Sequence, residues 1–280
     1  MEPLHPSKSS GGSAGNTIKA LAALGGDCTF VGKVGQDDDA RLLDDIYHRM
    51  GAETRFLHST LHTGVASTFI SPTGERTFGT CLGAASTLQA SEVTPELLEG
   101  IDWLHIEGYL VQDHALIEHI GKLARQAGVH TSMDLASYNV LLEDLDFARH
   151  LVKKYVDVVF ANEDEASVFT GGLDALRAAE KMASMCTMAV VKMGEYGSLV
   201  YCDKWGGMLP AQRVPVVDTT GAGDFFAAGF LYALIHGGGC EQCLHCGTEL
   251  AAQVIQVVGT DLTAEGWQAC RDAVNKILGA

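Results

Sequence analysis

Short runs rich in β-branched and apolar residues alternate with longer segments of helical periodicity along most of this chain. The runs at 28–32, 103–106, 131–134, 156–160 and 188–191 are bounded by glycine or polar residues and read as strands. Helical patterns fall at 40–50, 115–127, 144–154 and 173–185. Strand, helix and strand in succession require crossover connections, which are right-handed and build a mostly parallel sheet covered on both faces. The expected fold is therefore α/β, with a mostly parallel central sheet flanked by helices in a single domain spanning 1–280. The segment 53–88 breaks the rhythm, because it holds no good helix and only strand-like pieces such as 65–70 and 76–78 around Ser71-Pro72-Thr73-Gly74, a turn by composition. A small β lid inserted in the domain is expected there, serving as a flap, an oligomer contact or a decorative edge.

A chain of 280 residues with 47% hydrophobic side chains can bury a large core. Its 19 Lys and Arg against 35 Asp and Glu leave a net charge of -16, which disfavours nonspecific contact with nucleic acid or anionic membranes. An anionic cofactor therefore needs local positive features. No apolar run approaches a membrane span and the first ten residues lack a signal-peptide core, so a cytoplasmic location is expected. The eight cysteines are too few and scattered for a disulfide framework. Cys240, Cys243, His245 and Cys246 lack a second ligand cluster at zinc-finger distance, so packing is the better reading of them.

Asp218-Thr219-Thr220-Gly221-Ala222-Gly223-Asp224-Phe225-Phe226 runs into an apolar stretch that ends at His236. A loop of very small residues thus opens what reads as a buried helix. Gly221, Ala222 and Gly223 leave backbone N–H groups free to face an anion at the positive end of the helix dipole. Asp224 in the first turn repels a resting phosphate, yet is placed to take a proton from an alcohol that attacks one. The competing reading is a Gly-rich turn with an aspartate that merely complements the dipole.

Other candidates fall at strand ends. Asn162-Glu163-Asp164-Glu165 follows the fourth strand, and Asn162 and Glu165 share one face of a helix, which suits magnesium through water, although an N-cap with an acidic first turn is the better reading of these residues taken alone. Lys192 leaves the next strand into Met193-Gly194-Glu195-Tyr196-Gly197 and either offsets phosphate charge or is an exposed turn lysine. Gly11-Gly12-Ser13-Ala14-Gly15-Asn16 precedes a helical run, where the glycines admit a ligand to the backbone and the Asn16 amide offers both donor and acceptor, unless this is a flexible leader ending in a cap. Glu107 and Asp134 lie near strand ends without an assigned contact. The Gly26 to Gly32 spacing is too long for a P-loop and Val34 stands where Ser or Thr is needed, while Phe226 replaces the third glycine of a dinucleotide fingerprint.

Gly11-Gly12-x-x-x-Asn16, Asn162-x-x-Glu165 and Asp218-Thr-x-Gly-Ala-Gly-Asp224, in that order, resemble the ribokinase-like (PfkB) family of small-molecule kinases from about Gly11 to the end. Leu82-Gly83-Ala84-Ala85, Ile106-Glu107-Gly108-Tyr109-Leu110 and 160–166 look most similar to its adenosine-kinase-like branch. The resemblance implies a Mg-ATP phosphotransferase acting on a hydroxyl of a nucleoside or sugar, with no nucleic-acid or membrane partner, as a monomer or a lid-mediated homodimer. Asp224 would be the base and Gly221, Ala222 and Gly223 the anion hole. Lys192, Gly194, Gly197 and Thr219 would line the nucleotide side, and Gly11, Gly12 and Asn16 the acceptor side. Asn162 and Glu165 would organise Mg2+ and its waters, and Asp218 and Thr220 a monovalent cation such as K+. One departure stands out: family members carry several dozen residues before the double glycine, including a core strand and an acceptor-binding aspartate. The chain is accordingly expected to lack that strand, and a catalytically silent nucleotide- or sugar-binding protein is the alternative, as is a sugar kinase of the same family.

Overall fold

The computed structural model describes residues 8–70, 76–202 and 205–279. Four parallel strands, β5 (Trp103–Glu107), β6 (His130–Asp134), β7 (Val158–Asn162) and β8 (Met188–Lys192), lie side by side in sequence order. Two antiparallel strands, β9 (Ser198–Cys202) and β10 (Trp205–Leu209), extend the same sheet beyond β8. Helices α3 (His114–Ala127), α5 (Leu145–Tyr155) and α7 (Ala175–Ala183) make the crossovers, joined by the shorter α4 (Tyr138–Glu143) and α6 (Glu163–Thr170). The expected parallel sheet is present. Several boundaries shift by one or two residues; the strand read at 156–160 begins at Val158, because Val156 caps α5 and the Asp157 carboxylate accepts from the Thr131 N–H at 2.8 Å.

Successive residues of a strand face opposite sides of a sheet. Val158, Phe160, Val190 and Val200 accordingly join one core with α1 (Ser13–Ala23), α8 (Ala222–Ile235), α9 (Cys240–Val254) and α10 (Ala264–Leu278). Val159, Ala161, Ala189, Val191 and Leu199 join a second core beneath α3 to α7. Helix α8 is apolar all round, and Phe225, Phe226, Ala227, Ala228, Phe230 and Leu231 are all buried between the sheet and α9. Cys243 and Cys246 belong to this core, where burial pushes their thiols up to about 12. No helix among the described residues is long and apolar enough to cross a membrane.

The N-terminal part is organised differently. Strand β1 (Cys28–Val34), helix α2 (Asp38–Met50) and strand β2 (Ala52–His58) form a parallel β-α-β unit, in register from Cys28 with Ala52 to Val34 with His58. Among the described residues no ladder joins this pair to the six-stranded sheet. Helix α1 packs against β1, β2 and β5 and so bridges the two. The hairpin of β3 (Val65–Ile70) and β4 (Arg76–Cys81) stands apart as a two-stranded ribbon, as the sequence suggested. The turn read at 71–74 lies outside the described residues. The opening of the 53–88 segment, in contrast, is β2, whose Phe56 ring meets Phe30 of β1 at 5.7 Å, so these residues belong to the β-α-β unit rather than to the hairpin.

Candidate active site

The parallel strands all finish at one edge of the sheet, the edge where open α/β folds place their ligands. Glu107, Asp134, Asn162 and Lys192 are the last residues of β5, β6, β7 and β8, with Glu107 opposite Asp134 and Asn162 opposite Lys192 in the ladders. Lys192 is no exposed turn residue. Its ammonium donates to Asp134 Oδ2 at 2.5 Å, and the two side chains are only 16% and 8% exposed. Burial works against both charges, but each holds the other ionised: Asp134 titrates below the usual carboxylate range and Lys192 above the usual lysine range.

Above this edge two helix N-termini converge. Helix α1 starts after Gly12 and α8 after Gly221, and Asp224 sits between them in the first turn of α8. Its Oδ1 accepts from the Ser13 hydroxyl at 2.9 Å and its Oδ2 from the Asn16 amide nitrogen at 2.8 Å. Thr17 Oγ1 lies within donating distance of the Ser13 carbonyl at 3.1 Å and of the Asp224 carbonyl at 3.3 Å, and so shares its proton between α1 and the start of α8. Burial pushes the Asp224 carboxyl up to about 6, against the pull of Asn16 and Ser13. Of the first N–H groups of α8, that of Ala222 is taken by the Thr219 carbonyl, while those of Gly223 and Asp224 have no partner within their own helix.

The anion-hole loop is fixed from below and from the side. Gly221 is left-handed (φ +75), and a Cβ there would come within 2.5 Å of Thr260 Cγ2. A Cβ on Gly223 would come within 3.0 Å of Lys192 Nζ, so this lysine supports the loop directly. The Asp218 carboxylate accepts from the N–H of Thr220 at 2.7 Å and of Gly259 at 2.6 Å, tying the loop to the segment before α10. Ala222 N–H donates to the carbonyl of exposed Thr219, closing the turn.

Asn162 and Glu165 form a capping box. Asn162 Oδ1 accepts from the Glu165 N–H at 2.8 Å, and Glu165 Oε2 accepts from the Asn162 N–H at 2.8 Å. Glu165 is nonetheless buried, and desolvation first, then repulsion from Asp134, pushes its carboxyl up to about 7. A carboxylate so disfavoured gains from a cation brought beside it. Gly194 and Gly197 shape the β8–β9 turn, where Met193 N–H donates to the Gly197 carbonyl at 2.7 Å. Gly11 and Gly12 are exposed at the start of α1, with open space around both.

Several participants escaped the sequence reading as site residues with stated contacts, among them Asp134 beside Lys192 and Thr17 beside Asp224. Ser13 is one of the unspecified positions between Gly12 and Asn16. Glu107 accepts from the Ala14 N–H at 3.3 Å, and its carboxyl is raised by burial. Lys19 and Thr260 meet behind Asn16, where Lys19 Nζ donates to Thr260 Oγ1 at 2.9 Å. Only the helical spacing of Asn16 and Lys19 could have placed that lysine on the site face.

The model of the pfkB family carbohydrate kinases matches residues 1–266. An aminoimidazole riboside kinase from Salmonella typhimurium is 26% identical over 239 residues, 81% of this chain and 74% of that protein. A crystal structure of adenosine kinase from Sinorhizobium meliloti has 32% sequence identity and a TM-score of 0.87, covering 95% of this chain and 83% of that one. A probable sugar kinase from Rhizobium etli has 31% identity and a TM-score of 0.87, covering 95% and 82%. A ribokinase II from E. coli in complex with ATP and Mg2+ shares the fold with a TM-score of 0.83 at 19% identity over 98% of this chain and 93% of that one. With a ribokinase-like fold, two helix N-termini meeting at Asp224 and a family match across most of its length, this chain belongs to the pfkB family of carbohydrate kinases and is a small-molecule kinase.

Proposed function

We propose that the protein transfers the γ-phosphoryl group of Mg-ATP to a hydroxyl of a nucleoside, adenosine-like, or of a sugar. The observation that carries this reading is Asp224, whose two carboxylate oxygens are oriented by Ser13 and Asn16 beside the N-terminus of α8. In this reading Asp224 takes the proton of the acceptor hydroxyl as its oxygen attacks the γ-phosphorus and ADP departs. The N–H groups of Gly221 and Gly223 face the transferred phosphoryl oxygens, the Ala222 N–H being engaged by the Thr219 carbonyl, with the Lys192 charge behind them. Most of the barrier to such a transfer is lowered by positioning and charge neutralisation. Gly11, Gly12 and Asn16 border the acceptor, Gly194, Gly197 and Thr219 the nucleotide, and the β3–β4 hairpin is the lid. The resemblance to named adenosine, riboside and sugar kinases supports a ribosyl or related acceptor. Asp218 and Thr220 are proposed to lie beside a monovalent-cation subsite. The test is ATP consumption across a panel of nucleosides and sugars, with potassium present or replaced by choline. Mg-dependent turnover of one acceptor is expected; ATP binding without turnover on any acceptor would favour a silent binding protein.

Magnesium, when bound, neutralises phosphate charge. Glu165 and Asn162 would hold it through water, for which the buried, strained ionisation of Glu165 is a suitable environment. Glu165→Gln keeps the reciprocal backbone bonds of the capping box, since Gln serves at that position as well as Glu, but loses the bond that Asn162 Nδ2 donates to Glu165 Oε1 at 2.7 Å. The variant should therefore melt within about 1 kcal/mol of the parent but require more magnesium. An unchanged magnesium titration returns Glu165 to a purely capping role.

A second expectation concerns pH. A base must be ionised to act, and the Asp224 carboxyl is pushed up to about 6 by burial. At saturating magnesium, which holds Glu165 ionised, the kcat/KM for the acceptor should fall about tenfold per pH unit below that value and level off above it. A profile flat down to pH 4.5 would remove Asp224 as the titrating base.

A further inference from the structure

We propose that Lys19 is a positioning residue which, through Thr260, fixes the direction of the Asn16 amide and so keeps Asp224 a hydrogen-bond acceptor. The inference rests on the reading of Asp224 as base. Lys19 and Asn16 are three residues apart on one face of α1. Lys19 is 2% exposed, an unusual place for an ammonium, and its charge is met by Asp261 Oδ1 at 2.7 Å and Thr260 Oγ1 at 2.9 Å. An ammonium only donates. The Thr260 hydroxyl must then accept from Lys19, which leaves its single proton for Asn16 Oδ1 at 3.2 Å. With the amide oxygen so engaged, the amide nitrogen faces Asp224 Oδ2 at 2.8 Å. Every hydrogen bond in the series points from the buried ammonium toward the carboxylate.

The reverse order suits a protonated aspartate, which would donate to the Asn16 oxygen while the amide nitrogen donated to Thr260. Lys19 opposes it, because a hydroxyl already accepting from an ammonium is a weaker acceptor for a second donor. The charged or titratable groups facing this corner are Asp134 of β6, Lys192 of β8, Glu107 of β5, which accepts from the Ala14 N–H of α1, Glu165 of α6, which shares Lys192 with Asp224, and, more remotely, Tyr109 after β5. Asp134 and Lys192 already pair with each other, and the partners of the Asn16 side chain are Asp224 and Thr260. Thr260 also packs its methyl against Gly221, so shape and polarity must be separated by experiment.

Thr260→Val keeps the shape and removes the hydroxyl; Thr260→Ser keeps the hydroxyl and removes the methyl. Lys19→Met removes the charge and leaves Asp261, which is 59% exposed, in water, so no uncompensated buried ion results. Turnover against pH is measured for all three and for Asp224→Asn at saturating Mg-ATP. The proposal expects Thr260→Val and Lys19→Met to lose about five- to tenfold in kcat and to move the acid limb upward by about half a unit to one unit. Thr260→Ser should restore both. It is overturned if Thr260→Val and Lys19→Met keep the parent profile, or if Thr260→Ser is as impaired as Thr260→Val, which would make the contact with Gly221 the operative one. Near-normal turnover in Asp224→Asn would instead sink the base assignment on which the inference stands. Inactive Asp224→Asn beside unimpaired Thr260→Val and Lys19→Met would sink the Lys19 role alone.

Discussion

Asp224→Ala should lower kcat by about 10²- to 10⁴-fold, the range a positioned general base contributes, while leaving ATP binding largely intact. The loss should appear in kcat rather than in nucleotide affinity, because the N–H groups of α8 and the Lys192 charge remain. Stability gives an independent reading of the same side chain. A carboxyl raised from 3.8 to about 6 is favoured by the fold in its protonated form. Its contribution is present below the unfolded value near 4 and is lost as pH rises through about 6. At neutral pH the ionised Asp224 therefore weakens the fold, and Asp224→Ala should melt at or above the parent temperature despite lost bonds to Ser13 and Asn16. Function held at the expense of stability is a property of active sites. A variant that turned over near the parent rate, or that unfolded well below it at pH 7, would return Asp224 to a structural helix-start residue.

What made Asp224 stand out was local: a run of tiny residues leads into a helix apolar on all faces, which marks the start of a buried helix whether its aspartate faces a ligand or only complements the dipole. Asn16 was legible for a similar reason, from glycines a few residues before a helical pattern. Lys19 was not, because a lysine in a helix reads as a solvated face, and the partners that bury it, Thr260 and Asp261, lie at the far end of the chain. The Asn162 and Glu165 pair illustrates a different limit. An N-cap with its reciprocal glutamate and an amide-carboxylate cation site use the same residues at the same spacing, so the geometry can satisfy the cap without deciding on the cation. In the fold, β1 and β5 to β8 were read from their short bounded runs, β9 and β10 were not, and β2 was hidden. Its Glu53, Thr54 and Arg55 carry little apolar signal, and only pairing with β1 reveals it. Likewise the separation of β1 and β2 from the main sheet depends on which edges meet, a long-range property that periodicity does not encode.

Lys192→Met is expected to have the largest effect on stability. Asp134 is 8% exposed on its side chain, and its charge is held by one ammonium. Removing one member of such a pair costs about 3–5 kcal/mol, because the remaining charge stays buried or must take up a proton. For a chain of this size the melting temperature should fall by roughly 10 °C. Methionine fills much of the space of the lysine stem beneath Gly223, so the loss should be electrostatic rather than a cavity. Adding Asp134→Asn to the same chain tests that claim by removing the orphaned charge. The double variant should recover most of the stability, whereas one as unstable as Lys192→Met would point to lost packing instead. Activity should part company with stability here. The double variant still lacks the positive charge behind the N–H groups of α8, so its kcat should stay low after its fold has recovered. If turnover returned together with the melting temperature, Lys192 would serve only to neutralise Asp134, and the charge facing the phosphoryl group would have to come from the helix N-terminus and magnesium alone.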